Sequence, residues 1–302
     1  MKFNFQHVIK KMARIYVNTP FYPHWHEFRQ SERLTHSISK ELASDLGDKA
    51  SLSLLEIGCS SQTNRTRLSK YLPISYYCGL EYPTWWISNT SATNFWATQS
   101  SQKDSSENKS KVLHFGGGVR NIIFGNPTLK VDVWGNGLEL PFSDGCFDIV
   151  AHFEVMEHVS SPEVLFQEIA RCLKQDGYLL FSVPFIYQNH SGIDISRLTQ
   201  QGVEALAQKQ GLEKVNYLST GFGTALSQLS NSFIIKQVVK FHDDSCSTAR
   251  KIITAVLATM FLFPVINVMG LIIDKIWFDS AYANRHFFLY KKNPLFKGKQ
   301  NR

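Results

Sequence analysis

Short apolar runs recur along this chain, and many of them close on an acidic residue, a glycine or a proline. They are SLSLLEIGCSS from residue 51, YYCGLEYP at 76–83, LKVDVW at 129–134, CFDIVAHF at 146–153 and GYLLFSVPF at 177–185. Stretches with helical spacing lie between and around them. The clearest is SPEVLFQEIARCLKQDG, where Ser160 or Ser161 caps, Pro162 sits in the first turn and Gly177 ends the element. A helix over 27–46 precedes the first run, LTQQGVEALAQKQG is a later one, and EKVNYLST and RHFFLYKK are further strands. Parallel neighbours need a crossover between them, usually a helix. The alternation therefore predicts a doubly wound α/β fold with a parallel sheet covered on both faces.

Two segments depart from this rhythm. Residues 88–111 are polar and rich in Ser and Asn, which predicts a surface insertion, and HFGGGVRNIIFGNP after it reads as loop because its glycines lack the GK[ST] ending of a phosphate loop. The second is IITAVLATMFLFPVINVMGLII, residues 252–273, which carries no charge and is about long enough to cross a bilayer. Three arrangements fit it: a spanning helix, a kinked pair dipping into one leaflet, or a buried or dimer-forming hairpin. The strand RHFFLYKK follows and should return to the sheet, and basic residues flank the segment, so association with one leaflet is favoured.

The chain is 302 residues long and 43% hydrophobic, enough for one large domain or two small ones. Its net charge of +7 suits an anionic partner or merely a basic surface. No RNA-binding fingerprint or zinc finger points to nucleic acid. Five scattered cysteines with no CxxC pair argue for a reducing compartment and against a disulfide framework. The N-terminus is too broken by charge for a secretory signal.

Chemistry concentrates at the strand ends. Gly58 permits a sharp turn after the first run, Glu56 ends that strand with an acid, and Glu81 closes the second. In HFEVMEHVSSP, Glu154, Glu157 and His158 stand at i, i+3 and i+4, which would put them on one face of a helical turn. Asp148 reads as satisfying loop amides. Arg197 suits a substrate phosphate or carboxylate, or an internal pair with Asp194. The two histidines of PHWHEF are two residues apart and would not face each other on a helix, so they read as part of a lid and not as a metal site.

LLEIGCSSQ resembles motif I of the class I S-adenosylmethionine-dependent methyltransferases, whose pattern is acidic-x-Gly-x-Gly-x-Gly. Ser60 and Gln62 stand where that pattern has its second and third glycines. The run from VDVWGNGLELPF through FDIVAHFEVMEHVSSP to LFQEIARCLKQDG resembles the methyltransferase type 11 family, which includes ubiquinone-pathway enzymes. PFIYQNHSGIDISRLTQQG resembles a subgroup found in bacterial polysaccharide biosynthesis clusters, matching at His190, Asp194, Arg197 and Thr199. The resemblance covers roughly 27–292, apart from the insertion.

It implies a Rossmann-like, seven-stranded methyltransferase sheet with an antiparallel last strand, an N-terminal helical lid and an apolar C-terminal helical hairpin. The implied division is a lid at 1–50, a core at 51–245 with an insertion at 86–127, and the apolar segment with the last strand at 246–302. S-adenosylmethionine is the implied cofactor, held by Glu56, Gly58, Ser60, Glu81, Phe153 and Asn136, the last in place of the usual Asp. Glu154, Glu157, His158 and His190 would hold Mg²⁺ or Mn²⁺ by resemblance to small-RNA 2′-O-methyltransferases. Without metal, His190 or His158 would act as the general base, or the Glu157-His158 pair would only orient its loop. Asp194 and Arg197 would meet the substrate. The expected acceptor is a sugar hydroxyl on a nucleotide- or lipid-linked glycan, with a prenylated phenol as the alternative and an inactive cofactor-binding scaffold as a third reading. The expected location is the cytoplasm, in contact with the inner face of the membrane, without nucleic acid and with the oligomeric state open.

Overall fold

A computed structural model describes residue 12 and residues 15–60, 62–82, 130–189, 194–240 and 248–296. The strands are β1 (Leu52–Ile57), β2 (Ile74–Glu81), β3 (Val133–Trp134), β4 (Phe147–Phe153), β5 (Leu173–Pro184), β6 (Leu212–Ser219) and β7 (Arg285–Lys292). They form one seven-stranded sheet in the order β3-β2-β1-β4-β5-β7-β6. The strands β1 to β5 pair in parallel, and β7 runs antiparallel between β5 and β6. The expected antiparallel last strand is present. Because β7 is reversed, it begins at the edge where β5 ends, with Arg285 opposite Pro184.

Helices cover both faces. Helices α3 (Pro162–Cys172) and α4 (Gln200–Lys209) seal one face with Leu165, Phe166, Ile169, Val203 and Ala207. Helices α1 (Trp25–Leu46) and α2 (Thr63–Leu68) seal the other with Ile38, Leu42, Leu46 and Leu68. The central strands are buried on both sides, so they read as continuous apolar runs without alternation. Ser161 caps α3 by accepting from the Val164 amide at 3.4 Å, with Pro162 at the helix start as expected. Gly177 does not end that helix. Helix α3 stops at Cys172, Leu173 opens β5, and Gly177 lies where a Cβ would come within 2.9 Å of the Lys174 carbonyl.

A third group of helices packs on the α1 side: α5 (Phe222–Lys240), α6 (Thr248–Leu257), a π-helical turn at Ala258–Leu262, and α7 (Phe263–Ile276). The apolar segment is thus one helical run lying along α5, and the hairpin is made with α5. Pro264 lies inside that continuous run, just after the π-helical turn, and removes one main-chain donor there. The polar insertion, the glycine-rich sequel and His190 lie outside the described residues.

Candidate active site

The strand ends expected to carry chemistry do meet at one edge of the sheet. After β1 the chain turns at Gly58, whose φ is +72°. A Cβ there would sit 2.6 Å from Val155 Cγ2, so the turn packs directly on the loop after β4. The Gly58 amide donates to the Leu80 carbonyl at 2.8 Å, tying the turn to the end of β2. Ser60 and Gln62, which replace glycines of the motif, have φ of +47° and +55°. The backbone therefore keeps a glycine-like path at both positions, at a cost of about 1 kcal/mol each. Gln62 acquires a bracing role: its Nε2 donates to Asp132 Oδ2 at 2.9 Å, and the same oxygen accepts from the Gly79 amide at 2.8 Å. Sequence reading did not single out Asp132. Its only signal was its place one residue ahead of β3.

Glu81 ends β2 and accepts from the Ser60 amide at 2.8 Å through Oε2 and from the Tyr82 amide at 3.2 Å through Oε1. Each carboxylate oxygen can accept a second bond, so the group retains capacity for a pair of hydroxyls. Glu56 is buried at 1% exposure. It accepts from Asn64 Nδ2 at 2.7 Å and from the Tyr77 hydroxyl. Burial pushes its carboxyl up to about 7, against the lowering effect of Tyr77 and Asn64. A buried acid poised near neutrality gains from a nearby cation. Asn136 follows β3, and its Oδ1 accepts from the Leu138 amide at 3.0 Å. Phe153 closes β4, partly exposed, and packs against the α1-side core.

The loop after β4 differs from the helical turn its spacing suggested. Glu154 takes a left-handed conformation, φ +56°, and only Met156–His158 forms a 3-10 turn. Glu154 thereby reaches β5 and β7. Its Oε1 accepts from Ser182 Oγ at 2.7 Å and pairs with Arg285 Nε at 2.9 Å. Glu157 is buried beside the half-buried His158, at 3.5 Å. Burial first, and then the Glu154 charge, raise the Glu157 carboxyl well above the usual carboxylate range. Its backbone carbonyl accepts from the Ile195 and Ser196 amides, which pins the following loop to the turn. In that loop Arg197 pairs with Asp194.

Among the described residues no three His, Cys, Asp or Glu groups are placed to hold a metal. Of the expected set, Glu154 pairs with Arg285, and His190 lies outside the described residues. The fit to a sulfonium nucleoside is better, because the Gly58 turn, the Glu56 carboxyl and the Glu81 carboxylate converge and, among the described residues, no cation lies at hydrogen-bond distance from either acid.

A buried charge network behind the acceptor side was missed in the sequence. Arg285, at the start of β7, reaches Glu27 of α1 at 3.2 Å and Ser31 Oγ at 2.5 Å as well as Glu154. Burial alone would lower Arg285, but Glu154 and Glu27 hold its guanidinium firmly charged. Burial would likewise raise Glu27, yet His24 and Arg285 bring its carboxyl below the ordinary range. The network couples the N-terminal helix to the edge where β4 and β5 end. The two histidines of PHWHEF diverge as expected: His24 lies 3.4 Å from Glu27, and His26 hydrogen-bonds Ser227 at 2.9 Å. At the opposite edge of the sheet, a surface depression is lined by Asp144, Arg171, Lys174 and Lys292. Its cations are committed to Glu168, Asp148 and main-chain carbonyls, so that depression is a structural joint.

Comparison with known proteins finds a methyltransferase family model and solved structures at low identity. Residues 121–181 match the family model for a methyltransferase domain. No curated protein matches the chain. Among solved structures, phosphoethanolamine N-methyltransferase 2 from Haemonchus contortus, determined with S-adenosyl-L-methionine, is 16% identical with a TM-score of 0.43, over 82% of this chain and 50% of that one. The YcgJ protein from Bacillus subtilis is 14% identical with a TM-score of 0.42, over 85% of this chain and 99% of that one. Geranyl diphosphate C-methyltransferase from Streptomyces coelicolor is 12% identical with a TM-score of 0.42, over 85% and 77% of the two chains.

Proposed function

We propose that this chain, a class I S-adenosylmethionine-dependent methyltransferase, methylates an oxygen acceptor, a sugar hydroxyl of a nucleotide- or lipid-linked glycan. The observation that carries the reading is the convergence of the Gly58 turn, Glu56 and Glu81 at the strand ends, a few residues along β4 from an acid-histidine turn. When bound, S-adenosylmethionine supplies an electrophilic methyl group on a sulfonium. Glu81 receives the ribose hydroxyls, and Glu56 receives the amino group, where its raised carboxyl ionises against the incoming positive charge. Asn136 offers its side-chain carbonyl to the adenine amino group, and Phe153 lies beside the reacting end.

On the acceptor side His158, half-buried beside Glu157, would take the proton of the acceptor hydroxyl; the methyl group would pass from sulfur to oxygen, with S-adenosylhomocysteine as the leaving group. His190 is the second candidate for that role. Asp194 holds Arg197 in place, and the N–H groups of Arg197 that Asp194 does not use would orient an anionic substrate group. The prenylated-phenol reading shares all of these roles and differs only in acceptor. The inactive-scaffold reading is weakened because Ser60 and Gln62 preserve the backbone path that their lost glycines would have supplied.

The test is calorimetric titration of the purified protein with S-adenosylmethionine and S-adenosylhomocysteine. Micromolar binding that Glu81→Ala abolishes is the expected result. Folded protein that binds neither compound would overturn the reading. An acceptor screen with sugar hydroxyls and phenols would then separate the two acceptor classes.

A further inference from the structure

Helices α5 and α7 have their polarity inside out. On α7 the inward stripe is Phe263, Asn267 and Gly270, with Asp274 one turn further on. Asn267 donates to the Pro20 and Tyr22 carbonyls at 2.8 and 2.9 Å and accepts from Asn231 at 3.0 Å. Asp274 accepts from the Gly223 amide at 2.6 Å and from Thr224 Oγ1 at 2.5 Å. Gly270 and Gly223 bring the two backbones together, since a Cβ on Gly223 would lie 2.0 Å from the Gly270 carbonyl. On α5 the buried residues include Thr224, Ser227, Gln228, Asn231 and Ser232. Facing out are Phe233 at 62%, Phe261 at 64% and Trp277 at 71% exposure, with Met260, Val265 and Ile272 in the same belt. The 24-residue helical run Ile253–Ile276 is long and apolar enough to cross a bilayer, with only 22% of its apolar window buried.

A water-facing helix turns its polar face outward. Helices that meet lipid do the reverse, packing through small and polar residues and showing apolar side chains to the surroundings. Here the outward residues of α7 and the half-exposed Pro264, Ile266, Leu271 and Ile273 beside them spread over more than half of the helix circumference. A seam for one partner helix is a narrower stripe. That breadth fits a solvent-like occupant. The inward stripe is fixed to the segment just before α1 and to α5 by Asn267 and Asp274, so the helix cannot be surrounded by lipid as a spanning helix would be. Its ends suit an interface: Arg250 and Lys251 precede the apolar run, Lys275 closes it, and Trp277 follows, on a chain of net charge +7.

We propose that the outer face of α5, α6 and α7 docks on an anionic lipid bilayer, entering one leaflet without crossing it. The chain then runs from Ile276 through Trp277, Phe278 and a 3-10 turn at Ser280–Tyr282 directly into β7 at Arg285, opposite the end of β5. Docking therefore brings the acceptor edge to the headgroup layer. If the methyl-transfer reading holds, on which this last step rests, the acceptor is the lipid-linked form and not a free nucleotide sugar.

The experiment is flotation of purified full-length protein with vesicles of phosphatidylcholine, alone or with about one third phosphatidylglycerol. The protein should rise with the anionic vesicles and be released by alkaline carbonate. The double variant Phe261→Gln, Trp277→Gln should bind roughly tenfold less while its melting curve is unchanged. Three results would overturn the proposal: folded protein that stays off the vesicles, a solution dimer that the double variant splits, or carbonate-resistant insertion. Titrating S-adenosylmethionine into the same samples reads the catalytic proposal separately, since either binding event can fail alone.

Discussion

In the sheet, Leu54, Leu55, Ile149 and Phe181 are fully buried and polar side chains gather at the strand ends. In the helical unit of α5, α6 and α7, Ser227, Asn231 and Asn267 are buried while Phe233, Phe261 and Val265 face outward. The two regions touch through α1, which packs on β7 with one part of its length and on α5 with another. One chain thus follows two burial rules, and the boundary between them lies at the acceptor edge. The sheet is stabilised by apolar surface withdrawn from water, about 25 cal/mol for each Å². The helical unit holds its helices together largely by hydrogen bonds and backbone proximity, which remain useful where the surroundings are themselves apolar.

The sharpest way to break this contrast is a matched pair of truncations. Phe181 stacks on Phe288 at 5.0 Å and on His152 at 4.7 Å, and Phe181→Ala should cost about 3–5 kcal/mol in urea unfolding. Phe261→Ala, made on the outer face, should stay within about 0.5 kcal/mol. A large loss at Phe261 would mean that protein, and not lipid, covers that face.

Next in size is the joint between the regions. Arg285→Met leaves Glu27 and Glu154 without the cation that neutralises both, and should cost about 3 kcal/mol. Adding Glu27→Gln should restore part of that loss, because the two changes act on one network. Additive losses in urea unfolding would show that Glu27 and Arg285 are independent. Inside the helical unit, Asp274→Ala strands the Gly223 amide and the Thr224 hydroxyl and should cost about 2 kcal/mol. Limited proteolysis should then cut within 222–276 before it cuts the sheet.

The sheet was legible because its rule is simple: parallel strands buried on both faces must be apolar throughout, and each must end where the chain turns. RHFFLYKK is β7 residue for residue. The positions of Glu56, Gly58 and Glu81 were legible for the same reason, since they are fixed by strand ends. The acceptor side was not. Spacing placed Glu154 on a helical face with Glu157 and His158, but its left-handed backbone, set by the bend out of β4, turns it to Arg285, 131 positions later. A partner that distant leaves no periodic trace. The apolar stretch showed its length but not its inward stripe, because Asn267 and Asp274 look like interruptions until α5 is placed against them.

A smaller effect tests the cofactor half by pH. The Glu56 carboxyl moves from about 4.5 when unfolded to about 7 when folded, so the folded state holds the proton more tightly. Its stabilising contribution is complete below about 4.5 and is lost as pH rises through about 7. Cofactor affinity should run the other way. Ionised Glu56 favours the amino group, so binding should weaken by up to tenfold for each unit of acidification below about 7. Glu56→Gln should bind more weakly and flatten both trends. A pH-independent affinity in the unaltered protein would remove Glu56 from the cofactor's amino end.

The smallest expected effect concerns the two replaced glycines, and there the sign is informative. Ser60→Gly relieves a left-handed backbone at +47°, worth about 1 kcal/mol, and gives back roughly half of that through the freer unfolded chain. The net should be a gain of about 0.5 kcal/mol, with cofactor affinity unchanged, because the Ser60 amide still donates to Glu81. Gln62→Gly relieves the same strain at +55° but removes the side chain that braces Asp132, and with it support for the Gly79 amide. It should therefore lose about 1 kcal/mol. Opposite signs in melting temperature would show that one substitution is merely tolerated while the other has become part of the site's scaffold. If Ser60→Gly instead weakened cofactor binding, the Ser60 hydroxyl would itself be a contact, and the turn would read its ligand with a side chain where its relatives by resemblance use bare backbone.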